Sequence, residues 1–176
     1  SSDLSMIAVV LDLARGRRGG GVGIAATERH DLSMAIEQVI DEIAVAHPDR
    51  EIIRDVRLDV PVRADLSRLS QLISNLLANA IHHGAKDQPV RLRACVSDGS
   101  LLIEVVNRGA VIPDEIAHQL FQPFRRASVS ANQDGLGLGL YIASEIAKAH
   151  GGTLRMTQED GEIRFVFRMA MSGADR

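Results

Sequence analysis

Two groups of residues in this chain have types and spacings that suit phosphate chemistry. In the first, three glycines alternate with leucines from Gly135 to Leu140, and the run leads directly into an amphipathic helix. Glycine lets the backbone approach a ligand closely, and the unpaired amides of a helix N-terminus attract anions. The run predicts a phosphate-binding loop, although its spacing fits neither a P-loop nor a dinucleotide fingerprint. Packing alone also produces glycine-rich turns.

The second group is a polar stripe on a helix predicted between Leu66 and Gly84. Asn75, Asn79 and His82 follow at spacings of four and three, so they share one face, while leucines and isoleucines occupy another. Asparagine is unfavourable inside a helix, and a carboxamide oxygen suits Mg²⁺ where substrate phosphates complete the shell. Solvent exposure, or capping of a neighbouring loop, explains the same pattern.

The composition limits the classes of function. Hydrophobic residues make up 45% of 176 residues, enough for one domain with a core. A net charge of -3 and an aromatic content of 3% argue against a nucleic-acid-binding protein. The one cysteine, Cys95, indicates a reducing compartment. No apolar run is long enough to span a membrane, and no signal peptide opens the chain. We expect the chain to be a piece of a larger protein.

The remaining pattern predicts an α+β fold with helices covering one face of a sheet. Predicted helices span 4–14, 32–47 and 66–83, a short one begins near Pro113, and another follows the glycine-rich run. Two β-like segments, 51–56 and 58–63, precede the polar helix. Two hairpins are predicted, 90–96 with 101–106 turning at Asp98-Gly99, and 153–157 with 162–169 turning at Asp160-Gly161.

Four motifs together resemble the catalytic domain of bacterial sensor histidine kinases. Residues 68–84 resemble the N box, 105–113 the first glycine box, 120–126 the F box and 135–140 the second glycine box. Their order and separations make the combination specific, and the resemblance covers about residues 31–170. It implies the Bergerat ATP-binding fold, a two-layer α/β sandwich with a mixed sheet covered by helices on one face. ATP would lie between the N-box helix and a mobile lid around 127–133.

The resemblance also implies a domain organisation. Residues 1–18 resemble the end of a dimerisation and phosphotransfer helix, 19–30 a linker, 31–170 the ATP-binding catalytic domain and 171–176 a tail. The motif at His30-Asp31-Leu32 looks like a phosphoacceptor site. The acceptor of the family lies on the first helix of the hairpin, upstream of residue 1, so the chain is expected to lack its own acceptor histidine.

The resemblance assigns roles to individual residues. Asn79 would coordinate Mg²⁺, Asn75 would help place the phosphates, and both would act in catalysis with His82. The implied ATP-contacting residues are Asn75, Asn79, His82, His83, Asn107, Gly109, Ile112, Phe124, Arg125, Gly135, Leu136, Gly137, Leu138, Gly139 and Leu140. Phe121 and Phe124 are also expected to anchor the lid in the core.

Two residues of the first glycine box depart from the pattern of the family. Asn107 stands where an aspartate usually accepts a hydrogen bond from the adenine amino group, and it keeps an acceptor oxygen without the charge. Val111 stands where another glycine is usual. These departures put the nucleotide affinity in question, and they motivate an alternative function as a degenerate nucleotide domain used in docking.

The implied function is ATP-dependent phosphorylation of a histidine on the dimerisation domain, in the same or a sister chain, for relay to a receiver domain. Hydrolases on this fold use a glutamate four residues before the Mg²⁺-binding asparagine, where this chain has Asn75, which cannot act as a base. A Ser/Thr kinase of the anti-sigma type is a further alternative. We expect a monomeric chain from a homodimeric parent, a cytoplasmic domain, and a parent that is either soluble or membrane-anchored.

Overall fold

The structure, a computed structural model, describes residues 22–123 and 138–171. Its strands are Thr27–Arg29 (β1), Ile52–Arg57 (β2), Val62–Ala64 (β3), Val90–Ser97 (β4), Ser100–Arg108 (β5), Thr153–Glu159 (β6) and Glu162–Ala170 (β7). Its helices are Leu32–Ala46 (α1), Leu66–His83 (α2), Asp114–Ala117 (α3) and Gly139–Ala149 (α4). A five-stranded sheet has the order β2-β4-β5-β7-β6, in which only the β2–β4 pair is parallel.

Both predicted hairpins are confirmed. β4 and β5 turn at Asp98 and Gly99, with φ of 51° and 71°, and β6 and β7 turn at Asp160 and Gly161, with φ of 50° and 78°. Two consecutive left-handed residues define the turn whose twist matches that of antiparallel strands. The Asp-Gly dipeptide favours this turn because aspartate tolerates the left-handed region and glycine has no Cβ.

The helix with the polar stripe begins and ends as predicted. Asp65 precedes α2 and its carboxylate accepts a hydrogen bond from the Arg68 backbone amide at 3.2 Å. The helix α1 also follows an aspartate, but Asp31 makes no capping hydrogen bond. Its carboxylate instead accepts two hydrogen bonds from the Arg29 guanidinium, which lowers the pKa of Asp31. The Asp31 carboxylate is thus engaged with Arg29 and not with the helix N-terminus.

The second predicted β segment is shorter than expected and does not join the five-stranded sheet. Only Val62–Ala64 forms a strand, and it pairs antiparallel with β1 in a separate two-stranded sheet. Pro61 has no amide to donate to a strand, which explains why pairing begins after it. The partner strand β1 lies within the segment predicted as a linker, and local hydrophobic patterning cannot reveal a pairing with such a distant segment.

The core lies between one face of the large sheet and the helices α1, α2 and α4. In β7 every second side chain is buried on this face, as expected for a strand with one face in the core: Ile163, Phe165, Phe167 and Met169. The opposite face is polar: Arg164 pairs with Glu104 and Glu162, and it has a raised pKa, chiefly through its hydrogen bond with Glu104. This arrangement confirms the predicted α+β fold with helices on one face.

Candidate functional site

The polar stripe of α2 meets the start of α4. The Asn75 side-chain amide donates a hydrogen bond to the Gly139 carbonyl oxygen at 3.0 Å, although 64 residues separate them in sequence. Asn75 and Asn79 are half-buried, and His82 is exposed near the C-terminal end of the helix. Two features that the sequence suggested separately for phosphate chemistry therefore lie side by side.

The helix α4 begins inside the second glycine box. Gly139 and Leu140 form its first turn, and Leu138 immediately before it is buried, with 4% of its surface exposed. The first-turn amides have no partners within the helix and carry its positive dipole end. This end of the site is suited to an anionic group. The predicted contacts Phe124, Arg125, Gly135, Leu136 and Gly137, and the predicted lid, lie outside the described residues.

Asn107 and Gly109 lie together near the C-terminal end of α2. Asn107 is 3% exposed and lies in β5 opposite Ile163 of β7. A Cβ placed on Gly109 would lie 3.4 Å from the His83 carbonyl oxygen and 3.5 Å from Asn107 Nδ2. Asn107 Nδ2 also approaches the Arg108 carbonyl oxygen at 3.4 Å. Asn107 is thus a buried carboxamide at the end of β5, with the backbone of Gly109 beside it.

A glutamine that the sequence did not single out holds the segment after Gly109. The Ile112 backbone amide donates to Gln158 Oε1 at 2.8 Å, and Gln158 Nε2 donates to the Ile112 carbonyl oxygen at 2.8 Å. This reciprocal pair fixes the backbone of Ile112, whose side chain packs against the core. Val111 beside it is 72% exposed. The position of Gln158 in an ordinary strand gave no signal of this role.

The β6–β7 turn supports the same segment. The Gly109 amide donates to the Gly161 carbonyl oxygen at 3.1 Å, and Arg108 Nη1 donates to the Asp160 carbonyl oxygen at 3.2 Å. The sequence predicted this turn as a hairpin only. Its second role depends on the pairing of β5 with β7, because that register brings the turn beside the end of β5.

The two predicted histidines form the exposed rim at the end of α2. The rings of His82 and His83 meet edge to face, with centroids 4.7 Å apart. Asn75 and Gly84 are separated by about 13 Å along the helix at 1.5 Å per residue. The site is therefore elongated, with Gly139 at one end and Asn107 at the other. Such a shape suits an extended ligand with an anionic end and a planar end.

Two other residues that the sequence singled out, Phe121 and His30, lie apart from the polar stripe. Phe121 packs edge to face on Phe165, with ring centroids 6.1 Å apart, as expected for an anchor of the lid. His30 is exposed and lies 3.2 Å from Glu28, next to the small two-stranded sheet.

Over residues 22–123 and 138–171, no group of three or more His, Cys, Asp or Glu side chains could hold a metal ion. No helix in those ranges could cross a membrane.

Comparisons with known proteins identify the family of this chain. A family model described as histidine kinase-, DNA gyrase B-, and HSP90-like ATPase matches residues 64–172. A bacteriophytochrome of Pseudomonas aeruginosa is 32% identical over 174 residues, covering 97% of this chain and 24% of that protein. Sensor protein VanSC of Enterococcus gallinarum is 35% identical over 150 residues, covering 83% of this chain and 41% of that protein. The chain thus spans less than half the length of both relatives.

Solved structures have the same fold. Full-length ShkA in complex with AMPPNP matches with a TM-score of 0.77 and 28% identity, covering 97% of this chain and 36% of that one. The catalytic domain of histidine kinase ThkA matches in fold with a TM-score of 0.71 and 24% identity, covering 84% of this chain and 97% of that one. This chain belongs to the family of histidine kinase-, DNA gyrase B- and HSP90-like ATPases, and it is an ATP-binding catalytic domain of the sensor histidine kinase type.

Proposed function

We propose that this domain binds ATP with Mg²⁺ along α2 and transfers the γ-phosphoryl group to a histidine of a dimerisation and phosphotransfer domain, in the same or a sister chain. The hydrogen bond from Asn75 to Gly139 carries the proposal, because it joins the polar stripe to the anion-attracting end of α4. Membership of the family supports the use of ATP.

Asn79 is the proposed Mg²⁺ ligand. It lies one turn after Asn75 on the same half-buried stripe and offers a neutral oxygen. Mg²⁺ takes few protein ligands and completes its shell with water and substrate phosphates, so a single neutral oxygen from the protein is compatible with this ion. When bound, Mg²⁺ would supply positive charge to the phosphate oxygens of ATP.

The base of ATP would lie at the other end. We assign Asn107 Oδ1 as the acceptor for the adenine amino group, Gly109 as the surface on which the base lies, and Ile112 as an apolar contact. His82 and His83 at the rim would contact the phosphates. Phe124, Arg125 and residues 135–137 of the second glycine box complete the proposed set of contacts, with Leu138 and Leu140 lining the start of α4.

The proposed reaction is an in-line displacement at phosphorus. An imidazole nitrogen of the acceptor histidine attacks the γ-phosphorus, the bond to the β,γ-bridging oxygen breaks, ADP leaves with that electron pair, and the imidazole proton passes to solvent. Positioning and neutralisation of charge do most of the work in phosphoryl transfer. Asn75 has no basic group to activate water, which disfavours hydrolysis at this site.

The wider system is also proposed. The phosphohistidine would pass its phosphoryl group to an aspartate of a receiver domain, and the parent protein would be a homodimer, with this chain alone a monomer. ATP is available in the cytoplasm, so we place the domain there, in a parent that is soluble or membrane-anchored. The docking alternative keeps the fold and needs no nucleotide.

A calorimetric titration with ATP, in the presence and absence of Mg²⁺, tests the proposal. We expect saturable binding that is tighter with Mg²⁺ and shows no turnover, because the acceptor histidine is expected on another segment.

The variant Asn79→Ala tests the proposed Mg²⁺ ligand, and its affinity for ATP should lose most of its dependence on Mg²⁺. The matched control Gln38→Ala removes an exposed helical carboxamide that bonds Glu42, and it should bind as the parent sequence does.

Two results would contradict the proposal. Absence of binding at millimolar ATP would favour the docking function, with Asn107 as the first residue to examine. Binding that keeps its full Mg²⁺ dependence in Asn79→Ala would show that another group holds the ion.

A further inference from the structure

Arg50 is a buried cation whose acceptors are backbone carbonyls. It lies four residues after α1 and is 9% exposed. Its Nη1 donates to the Ile81 carbonyl oxygen at 2.7 Å, and its Nη2 donates to the carbonyl oxygens of Ala85 at 3.2 Å and Gln88 at 3.4 Å. Burying a guanidinium is costly unless its donors are satisfied, and these three contacts hold the two Nη groups, while the buried Nε has no hydrogen-bond partner among the described residues.

These contacts replace a conventional end to α2. The last carbonyls of a helix lack partners, and many helices satisfy them by turning into a left-handed glycine. Gly84 follows α2 but has φ of -74° and ψ of 157°, an extended conformation. Arg50 instead supplies a donor to the Ile81 carbonyl and a positive charge at the negative end of the helix dipole.

The same residue reaches the base end of the site through Ala85. The Ala85 carbonyl accepts from Arg50, while its amide donates to the Arg108 carbonyl oxygen at 2.7 Å. The adjacent Gly84 packs so closely that an added Cβ would lie 3.1 Å from Asn107 Cβ and 3.2 Å from Asn107 Nδ2. The guanidinium of Arg50 therefore holds Gly84 and Ala85 in the position in which Gly84 packs against Asn107.

We propose that Arg50 is a positioning residue for base recognition. By holding residues 81–88 against the end of β5, it fixes the position of Asn107, whose Oδ1 is the proposed acceptor for the base, without touching the nucleotide itself. The inference rests on the proposed function, since it assumes that ATP binds with its base at Asn107. Its mechanical part, the link from Arg50 through Ala85 to Asn107, stands on the structure alone.

The test compares ATP with purine riboside triphosphate, which lacks the 6-amino group. Arg50→Lys keeps the charge but cannot reach all three carbonyls with a planar fork. We expect its ATP affinity to fall about tenfold, with a much smaller loss for purine riboside triphosphate. The control Arg54→Lys changes an arginine that pairs with Glu37 and Asp41 on α1, and it should leave both affinities unchanged.

A purely structural role would lower the melting temperature of Arg50→Lys and leave the ratio of the two affinities at its original value, which would overturn the proposal. Arg50→Gln, which removes the buried charge and keeps one donor group, provides the same comparison if Arg50→Lys does not fold.

Hydrogen exchange without nucleotide separates the two proposals. The amides of Gly84 and Ala85 should exchange faster in Arg50→Lys than in the parent sequence or in Arg54→Lys. If the parent sequence binds neither nucleotide, the proposed function fails, while faster exchange at these amides would still support the link to Asn107. Unchanged exchange would overturn the link whatever binds.

Discussion

Asn75 on α2 donates its side-chain amide to the carbonyl oxygen of Gly139, the first residue of α4, at 3.0 Å. The bond crosses between the two helices that carry the N box and the end of the second glycine box. The acceptor is a backbone carbonyl, so the hydrogen bond depends on the amide donor of Asn75 and not on the size of its side chain. Loss of this hydrogen bond should therefore first increase the mobility of the start of α4.

Asn75→Leu tests this contact. The variant keeps the branched shape of the side chain and removes the donor, so we expect the free energy of unfolding to fall by about 1 kcal/mol. Amide hydrogen exchange in residues 139–143 should become faster. Ser74→Ala, at the neighbouring half-exposed position, should change neither quantity. Equal exchange rates in Asn75→Leu and the parent sequence would show that the bond contributes nothing to the order of α4.

Asn107→Asp should separate affinity from stability. Asn107 is 3% exposed and its Nδ2 faces the Arg108 carbonyl oxygen, so a carboxylate there places two oxygens together in a buried position. We expect the free energy of unfolding without nucleotide to fall by about 1–3 kcal/mol. A charged acceptor forms a stronger hydrogen bond with the adenine amino group, so the affinity for ATP should rise about tenfold.

Urea denaturation and calorimetry measure the two effects of Asn107→Asp separately. Asn107→Leu is the companion variant, because it has neither the acceptor oxygen of Asn107 nor the charge of Asn107→Asp, and it should bind ATP most weakly of the three. If Asn107→Asp bound ATP more weakly than the parent sequence while remaining folded, Oδ1 would not be the atom that accepts from the base.

Gly84→Ala should be strongly destabilising for a steric reason. The φ of Gly84 is -74°, which alanine adopts easily, but its Cβ would lie 2.5 Å from the Ala80 carbonyl oxygen and 3.1 Å from Asn107 Cβ. Overpacking of this kind costs about 1–3 kcal/mol. Gly23→Ala is the matched control, because its Cβ would meet nothing within 4 Å, and its effect should stay within about 0.5 kcal/mol.

Thermal unfolding of the two glycine variants gives the comparison. Similar melting temperatures for Gly84→Ala and Gly23→Ala would mean that the end of α2 and Asn107 can move apart without loss of stability. The close packing of Gly84 on Asn107 would then not be required for the fold.

His150 joins the end of α4 to the start of α2. Its Nδ1 lies 2.9 Å from the Ile146 carbonyl oxygen, and its Nε2 accepts from the Asp65 backbone amide at 3.1 Å. These partners define a neutral tautomer with the proton on Nδ1. His150→Ala should lower the free energy of unfolding by about 1–3 kcal/mol, because the amide of Asp65 loses its acceptor.

Chemical denaturation checks this prediction, with His118→Ala as the control at an exposed position after α3. His150→Ala should also speed exchange of the Asp65 amide. A loss of stability no greater than that of His118→Ala would indicate that solvent satisfies the amide equally well.

The sequence determined the local elements of this protein. Alternation placed Phe165 and Phe167 in the core and Arg164 on the opposite face, and the Asp-Gly dipeptides defined both turns, because these features depend on neighbouring residues alone. The polar stripe with Asn75 and Asn79 was visible for the same reason, since helical periodicity puts residues four apart on one face. Together with the four motifs, these patterns were enough to predict the family.

Only the tertiary structure decided which distant segments support the site. Gln158 holds Ile112 across 46 residues, and Arg50 reaches Ile81 across 31, through side chains whose local surroundings are ordinary. The pairing of β1 with β3 was hidden for the same reason. Such contacts depend on the register of the sheet and the packing of α2, which arise from the whole chain, so no local pattern of residue types encodes them.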